Sequence, residues 1–389
     1  MIVTVVCDVL GQENNGTTIA GMNLIRYLKS KGVEVRVLCA DQDKKGEDGF
    51  FVVPNLSVGV FNGYVKRVGV TLAKPDESVI RQALTGADVV HIMVPLALGL
   101  KACKVAREMN IPITAGFHMQ AENLSSHLKA DKISLFNHCV YKFIYKHLYK
   151  YADAIHYPTE FIKQVFEKNI HKDTPAYVIS NGVSSEVTKC EVARPVEYAD
   201  KIVILSIGRL GGEKSHDTLL RAVRFSRHCD KIKVIIAGTG PLESKLKKLA
   251  QHLPVPATFG YFGRKEIVDM LNYCDMYVHP AHIELEGIAC LEAVCCGKLI
   301  IVSDSKKSAT SKFAVDNKCL FKSRNARDLA SKIDYWIEHP EEKKICEEKT
   351  LLHAGEYNRQ RCMENMYSMI IDAKDGKSIS NFKKEQIKK

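Results

Sequence analysis

The feature that most narrows what this chain can fold into is a rhythm that runs through it twice. Short apolar runs alternate with amphipathic stretches, first at residues 2–6, 33–39, 89–94, 113–117, 154–157 and 177–179, then at 202–207, 234–237, 276–279, 299–302 and 319–321. Such runs suit strands covered on both faces, and strands separated by helical stretches are joined in parallel by crossovers. The pattern predicts an α/β protein: two Rossmann-like, doubly wound domains facing a central cleft. A polar stretch broken by Gly182 and Pro195 separates the two series and suits an interdomain connection. The expected organisation is a first domain at 1–183, a linker at 184–201 and a second domain at 202–355. A C-terminal helix at 356–373 is expected to pack back on the first domain. Residues 374–389 carry six lysines against two acids with no apolar period, and so predict a basic flexible tail. No repeat of solenoid length is present, and 389 residues suffice for two domains of ~100–200 residues.

Composition excludes several classes. With 46% hydrophobic and 26% charged residues, the chain is neither disordered nor fibrous. Residues 2–6 are too short, and lack the basic flank, to be a secretory signal, and no apolar run approaches the ~20 residues that span a bilayer. The expected location is the cytoplasm, either soluble or peripheral on the inner face of the membrane. Thirteen cysteines without any C-x-x-C spacing read as reduced, mostly buried thiols. A net charge of +11 suits nucleic acid, an anionic membrane or a phosphorylated small molecule, and no nucleic-acid-binding motif accompanies it.

In open α/β sheets ligands bind beyond the carboxyl ends of the strands, and four groups of residues fall there. Gly208-Arg209-Leu210-Gly211-Gly212-Glu213-Lys214 follows the run at 202–207. A glycine-bearing loop before a helix lets backbone approach a phosphate, and Arg209 and Lys214 add two positive charges. Taken alone, this segment also reads as a solvated basic loop. Gly238-Thr239-Gly240-Pro241 follows 234–237, where a tight turn explains the glycines as well as a ligand does. Glu284 to Glu292 follows Tyr277-Val278-His279-Pro280. A helix starting near Gly287 turns its free N–H groups toward an anion, and Glu292 within it can accept from two vicinal hydroxyls. Either glutamate also reads as an ordinary surface residue. In the first half, Asn14-Asn15-Gly16-Thr17-Thr18 precedes an amphipathic stretch, and His118 follows Gly116-Phe117 at a strand end, where a histidine is as readily structural as functional.

Taken in order, G-R-L-x-x-E-K at 208–214, G-x-G-P at 238–241 and E-x7-E at 284–292 resemble the retaining glycosyltransferases of family 4, which have the GT-B fold. The resemblance extends over nearly the whole chain, through Asn181-Gly182-Val183 and through Tyr151-Ala152-Asp153 with Pro158-Thr159. It implies a nucleotide-sugar donor, UDP-glucose or UDP-galactose, whose hexose passes to a hydroxyl acceptor. Arg209 and Lys214 would bind its diphosphate, Glu292 the ribose and Glu284 the sugar hydroxyls, with Gly208, Gly238 and the backbone of Gly287, Ile288 and Ala289 lining the donor. His118 would sit over the sugar, and Gly16 would let the first loop approach the phosphate.

The chain departs from the family pattern twice. Glu286 stands where a Phe is usual, and the first loop has the single Gly16 rather than a glycine pair. The Phe-less variant is similar to branches that glycosylate lipids such as diacylglycerol, which implies a membrane-lipid acceptor. A soluble or polysaccharide-precursor sugar acceptor, or a nucleotide-sugar epimerase of the same fold, is the alternative. A nicotinamide dehydrogenase is disfavoured, because no G-x-G-x-x-G follows the first run.

No acidic residue is evidently placed as a covalent nucleophile. Same-face attack, with the departing phosphate helping to deprotonate the acceptor, is therefore expected, and double displacement stays open. Asp41-Gln42-Asp43 has D-x-D spacing but lies in a charged loop, so no essential metal and no other cofactor is expected. Lys142, Lys146 and Lys150 recur every four residues beside Tyr141, Ile144, Tyr145 and Leu148. On one helix they form a face for an anionic membrane surface, or else a solvated face over an apolar side packed on the sheet.

Overall fold

The computed structural model describes residues 1–8, 10, 16–56, 72–122 and 134–388. The chain forms two units, Met1–Asn181 with Arg361–Lys389, and Gly182–Gln360. In the first, β1 (Ile2–Val6), β2 (Glu34–Cys39), β3 (Phe50–Val52), β4 (Val89–Ile92), β5 (Ile113–Gly116), β6 (Ala154–Tyr157) and β7 (Ala176–Val178) make one sheet. Its order is β3-β2-β1-β4-β5-β6-β7, parallel throughout. Helices α1 (Gly16–Ser30), α2 (Glu77–Leu84), α3 (Ala97–Glu108), α4 (Ser134–His147) and α5 (Glu160–Ile170) connect the strands. Every residue of β4, β5 and β6 is buried, which is why these segments read as continuous rather than alternating apolar runs. Their polar members are bonded internally: His91 Nδ1 lies 2.9 Å from Thr114 Oγ1, and His156 Nε2 lies 2.7 Å from the Ile179 carbonyl.

The second unit repeats the plan. Strands β8 (Ile202–Ile207), β9 (Ile232–Ala237), β10 (Thr258–Gly260), β11 (Met276–His279), β12 (Ile300–Ser303) and β13 (Leu320–Phe321) pair in parallel in the order β10-β9-β8-β11-β12-β13. Its helices are α6 (His216–Phe225), α7 (Glu243–Ala250), α8 (Arg264–Tyr273), α9 (Ile288–Cys295), α10 (Ala326–Glu338) and α11 (Pro340–Leu352). The middle of α9 is buried on all sides, against the sheet and against Val183, Val187, Ala354 and Tyr357. Cys290, Cys295 and Cys296 belong to this core, and all thirteen cysteines are free thiols. Helix α12 (Arg359–Lys374) then places Cys362, Met363, Met366, Met369 and Ile370 in the core of the first unit beside Leu24 and Leu28.

Three expectations need correction. Within residues 374–389, expected as a basic flexible tail without periodic structure, Lys377–Lys388 forms helix α13. Ile379 and Phe382, half-buried at i and i+3, give it a short apolar face, and the Tyr177 hydroxyl anchors the start by reaching Asp372 and Ser378 at 3.1 and 3.2 Å. The 184–201 segment is a strap bound to the second unit rather than a free linker. The amide of Asn272 accepts from Cys190 N and donates to the Thr188 carbonyl, Arg194 pairs with Asp275 at 2.8 Å, and Val187 is buried. Finally, β3 and β10 went unforeseen. Each is three half-buried residues at a sheet edge; β3 is a short apolar run, Phe50-Phe51-Val52, while β10 holds Thr258 and Gly260.

Candidate active site

Strands β8 and β11 are neighbours although β9 and β10 intervene in sequence, so the order of the sheet reverses between them. Beyond their carboxyl ends lies the position where such sheets bind ligands. The Gly208 amide donates to the Ala237 carbonyl, the Leu210 amide to Thr239 and the Leu242 amide to Leu210, each at 2.9 Å. The two glycine segments are thus one knitted structure. At Gly238, with φ +150°, a Cβ would lie 2.1 Å from the Gly208 carbonyl oxygen, so no other residue fits.

A 3-10 turn at Gly212–Lys214 brings the Lys214 stem back alongside Gly208. Its amine pairs with Oε2 of Glu284. The same oxygen lies 3.1 Å from Nε2 of His279, whose Nδ1 lies 3.1 Å from the Tyr277 hydroxyl. Tyr277 and His279, two apart on β11, share a face of the strand. Burial alone would raise the Glu284 carboxyl, but the Lys214 charge and the His279 bond outweigh it and bring its pKa down to about 2. Burial and the Lys214 charge hold His279 below its ordinary value, against the pull of Glu284. Among the described residues the Arg209 guanidinium makes no ion pair, and it remains half-buried on the same loop. The constellation therefore has one anchored carboxylate, one lysine on a flexible stem, and one arginine with uncommitted donors.

Gly287 opens α9 at φ +88°, with a would-be Cβ only 2.6 Å from Thr310 Cγ2. Ile288 and Ala289 follow in the first turn, where backbone N–H groups have no carbonyl four residues back. Glu292 lies one turn further, nearly buried, with Oε1 taking Nη1 of Arg264 at 2.5 Å. Burial raises the Glu292 pKa, against the charge of Arg264.

In the first unit, His118 follows β5 and folds back over Gly116, whose Cβ, if present, would lie 2.7 Å from the ring. Its ring is 5.3 Å from that of His156, and burial with the neighbouring His156 and His91 holds it well below the ordinary pKa. Gly16 is the exposed first residue of α1, while Asn14 and Asn15 lie outside the described residues. Asp41 precedes a single 3-10 turn, Gln42–Lys44. Among the described residues no group of three or more His, Cys, Asp or Glu side chains is arranged to hold a metal ion.

The lysine face is smaller than expected. Lys142 and Lys146 are exposed on α4, but the helix ends at His147, and Lys150 sits in a separate 3-10 turn with its amine 5.1 Å from the Tyr151 ring centre. Leu148 and Tyr149 both turn into the core, and the Tyr149 hydroxyl donates to the Gly116 carbonyl at 3.0 Å, which a continuing one-sided helix does not allow. Leu135 and Phe143 are exposed on α4, at 70% and 53%.

Residues 14–187 match the family described as Glycosyltransferase Family 4, and residues 191–352 match Glycosyl transferases group 1. The chain belongs to the family 4 glycosyltransferases. The alpha-monoglucosyldiacylglycerol synthase of Streptococcus pneumoniae is 25% identical over 232 residues, 55% of this chain and 51% of that one. A GDP-mannose-dependent alpha-(1-6)-phosphatidylinositol dimannoside mannosyltransferase of Mycobacterium tuberculosis is 32% identical over 106 residues, 26% of this chain and 27% of that one. The chain thus spans about half the length of the first and about a quarter of the second. The structure of Anabaena Alr3699/HepE in complex with UDP and glucose superposes with a TM-score of 0.72 at 14% identity, covering 96% of this chain and 100% of that one. At that identity it establishes the fold, two parallel-sheet α/β domains of GT-B type. No helix among the described residues of this glycosyltransferase is long and apolar enough to cross a membrane.

Sequence reasoning did not single out two residues that the structure places on the candidate carboxylates, His279 on Glu284 and Arg264 on Glu292. His279 carried a faint signal, a histidine ending an otherwise apolar strand. Arg264 carried none, because its partner Glu292 is brought to it by the sheet order rather than by spacing along the chain.

Proposed function

We propose that the chain is a retaining hexosyltransferase that moves glucose or galactose from a UDP-sugar to a hydroxyl of a membrane lipid. The observation that carries this reading is the Lys214–Glu284–His279 cluster, held beside Arg209 by the interlocked glycine segments at the reversal of the second sheet. Arg209 and Lys214 take the diphosphate, with Gly208 and Gly238 keeping that floor free of side chains. Glu284 accepts from the sugar hydroxyls, Glu292 from the ribose, and the N–H groups at Gly287, Ile288 and Ala289 face the sugar and phosphate. By family resemblance, His118 acts on the sugar and Gly16 on the phosphate.

The bond from the anomeric carbon to the diphosphate oxygen breaks as the acceptor oxygen bonds to that carbon on the same face, and the acceptor proton passes to the departing diphosphate. Fixed donors at such a developing charge contribute ~3–4 kcal/mol each. The charge is met by side chains and backbone, with no metal and no other cofactor. The lipid acceptor is supported by the lipid-directed activities that both relatives are named for, by Glu286 and by the exposed lysines and apolar residues of α4. The mannosyltransferase likeness makes GDP-mannose the donor to test beside UDP-sugars.

The test is a panel of nucleotide sugars incubated with lipid extracts and with soluble sugars in the presence of EDTA, with products identified by mass. A hexosylated lipid formed from a UDP-hexose is the expected result. Product only on soluble sugars, epimerised donor without transfer, or activity that returns only on adding manganese or magnesium would each refute its part of the proposal.

A further inference from the structure

Glu292 is the more deeply buried of the two site carboxylates by residue, and the groups facing it come from separate parts of the second unit. Arg264 opens α8, Arg359 opens α12, Glu186 lies in the strap before β8, Tyr277 is on β11, and Cys296 follows α9. Arg264 is held at two points. Its Nη1 donates to Glu292 Oε1 at 2.5 Å and its Nε to Glu186 Oε1 at 3.1 Å, so an exposed carboxylate steadies the guanidinium against a buried one. The planar fork suits this task better than a lysine amine would. A vicinal diol donates two hydrogens and needs an ionised acceptor, whereas burial favours the neutral acid.

We propose that Arg264 is a positioning residue of the donor site, keeping the Glu292 carboxylate charged and aimed at the ribose diol. The proposal rests on the assignment of Glu292 to ribose. Arg264 acts through Glu292 and takes no part at the reacting atoms. Burial already outweighs Arg264 in setting the Glu292 pKa above the ordinary value, so losing the guanidinium moves it further up. Diol affinity is present above that pKa and lost as pH falls through it, and the loss then begins at higher pH.

The experiment is calorimetric binding of UDP and of 2′-deoxy-UDP to the full chain between about pH 6 and about pH 9. Wild type is expected to bind UDP more tightly than the deoxy probe. Arg264→Gln is expected to weaken UDP about tenfold at the acid end of that range and to regain most of the loss toward the alkaline end, because losing the guanidinium moves the Glu292 pKa further up. Arg264→Lys, which keeps the charge but not the two-point fork, is expected to bind UDP between wild type and Arg264→Gln, with less dependence on pH than Arg264→Gln. Unchanged binding in Arg264→Gln, or a loss of equal size at every pH, overturns the proposal and leaves the ribose assignment standing. If Glu292→Gln binds UDP like wild type and wild type does not discriminate the deoxy probe, the ribose assignment falls and takes the proposal with it.

Discussion

The Lys214 amine and the His279 imidazole share one oxygen of Glu284, so a diphosphate that recruits Lys214 leaves that carboxylate to His279 alone. Arg209 has no such prior commitment. The two cations should therefore fail differently. Lys214→Ala strips a nearly buried carboxylate of its charge partner and is expected to lower both turnover and stability, the latter by roughly 2–4 kcal/mol. Arg209→Ala should lower turnover by about a hundredfold or more while leaving the melting temperature in place. Turnover near wild type in both variants would remove the diphosphate assignment. The ordered motifs singled out Arg209, Lys214, Glu284, Gly287 and Glu292 as candidates because each falls beyond the carboxyl end of a strand, where open α/β sheets bind ligands, and the structure brings Lys214 onto Glu284. Gly238 gained meaning only in three dimensions, where its missing Cβ makes room for the Gly208 carbonyl. His279 and Arg264 reach Glu284 and Glu292 through contacts that the fold makes, and a linear pattern does not record neighbours.

Helix α4 shows how an element can half obey its sequence period. Tyr141 packs against Phe117 and Phe166 and Ile144 is buried, while Leu135, Lys142, Phe143 and Lys146 are exposed. Exposed lysines attract anionic headgroups by ~1 kcal/mol each, screened over ~8 Å at physiological salt, and the exposed Leu135 and Phe143 add apolar area. Lys142→Glu with Lys146→Glu is expected to release the protein from anionic vesicles, and wild-type binding should weaken as salt rises. Lys150→Glu alone should change little, since Lys150 left the helix. Sedimentation with vesicles decides it: a wild type that stays in the supernatant makes α4 a solvated face only. Central strands were legible because burial on both sides demands apolar runs. Strand β3 did leave an apolar trace, Phe50-Phe51-Val52, that is shorter than the central runs, whereas β10, with Thr258 and Gly260, and the lysine-rich α13 left little.

Across the whole molecule, buried histidines set the response to acid. His91, His156 and His216 are held by burial at about 3, 4 and 3. An unfolded chain protonates them near their ordinary value of 6.5, whereas the folded chain does so only far lower. Their contribution is complete above about pH 6.5 and is lost as pH falls, by ~1.4 kcal/mol per unit for each ring. Glu284, despite burial, is held at about 2 by Lys214 and His279, and adds to the loss below its ordinary 4.5. Asp8, raised by burial to about 7, opposes this, since its preference for the neutral form favours the folded chain toward acid. Burial also holds His118 and His279 down and Asp153 and Glu292 up. With five such imidazoles against three carboxyls among the described residues, the urea midpoint should fall from about pH 6.5 to about pH 4.5. A midpoint that stays flat or rises over that range would contradict the burial of these rings.

The first unit takes its last core residues from α12, after the chain has passed through all of the second. Synthesis runs at ~5–20 residues per second, so the methionines of α12 emerge some ten to forty seconds after β7. During that interval the groove over Leu24 and Leu28 waits open on a nascent chain, its apolar floor available to chaperones or to misplaced strands. The second unit, contiguous from Gly182 to Gln360, has no such delay. Folding on the ribosome therefore finishes in the opposite order to translation: the half begun first is the half sealed last.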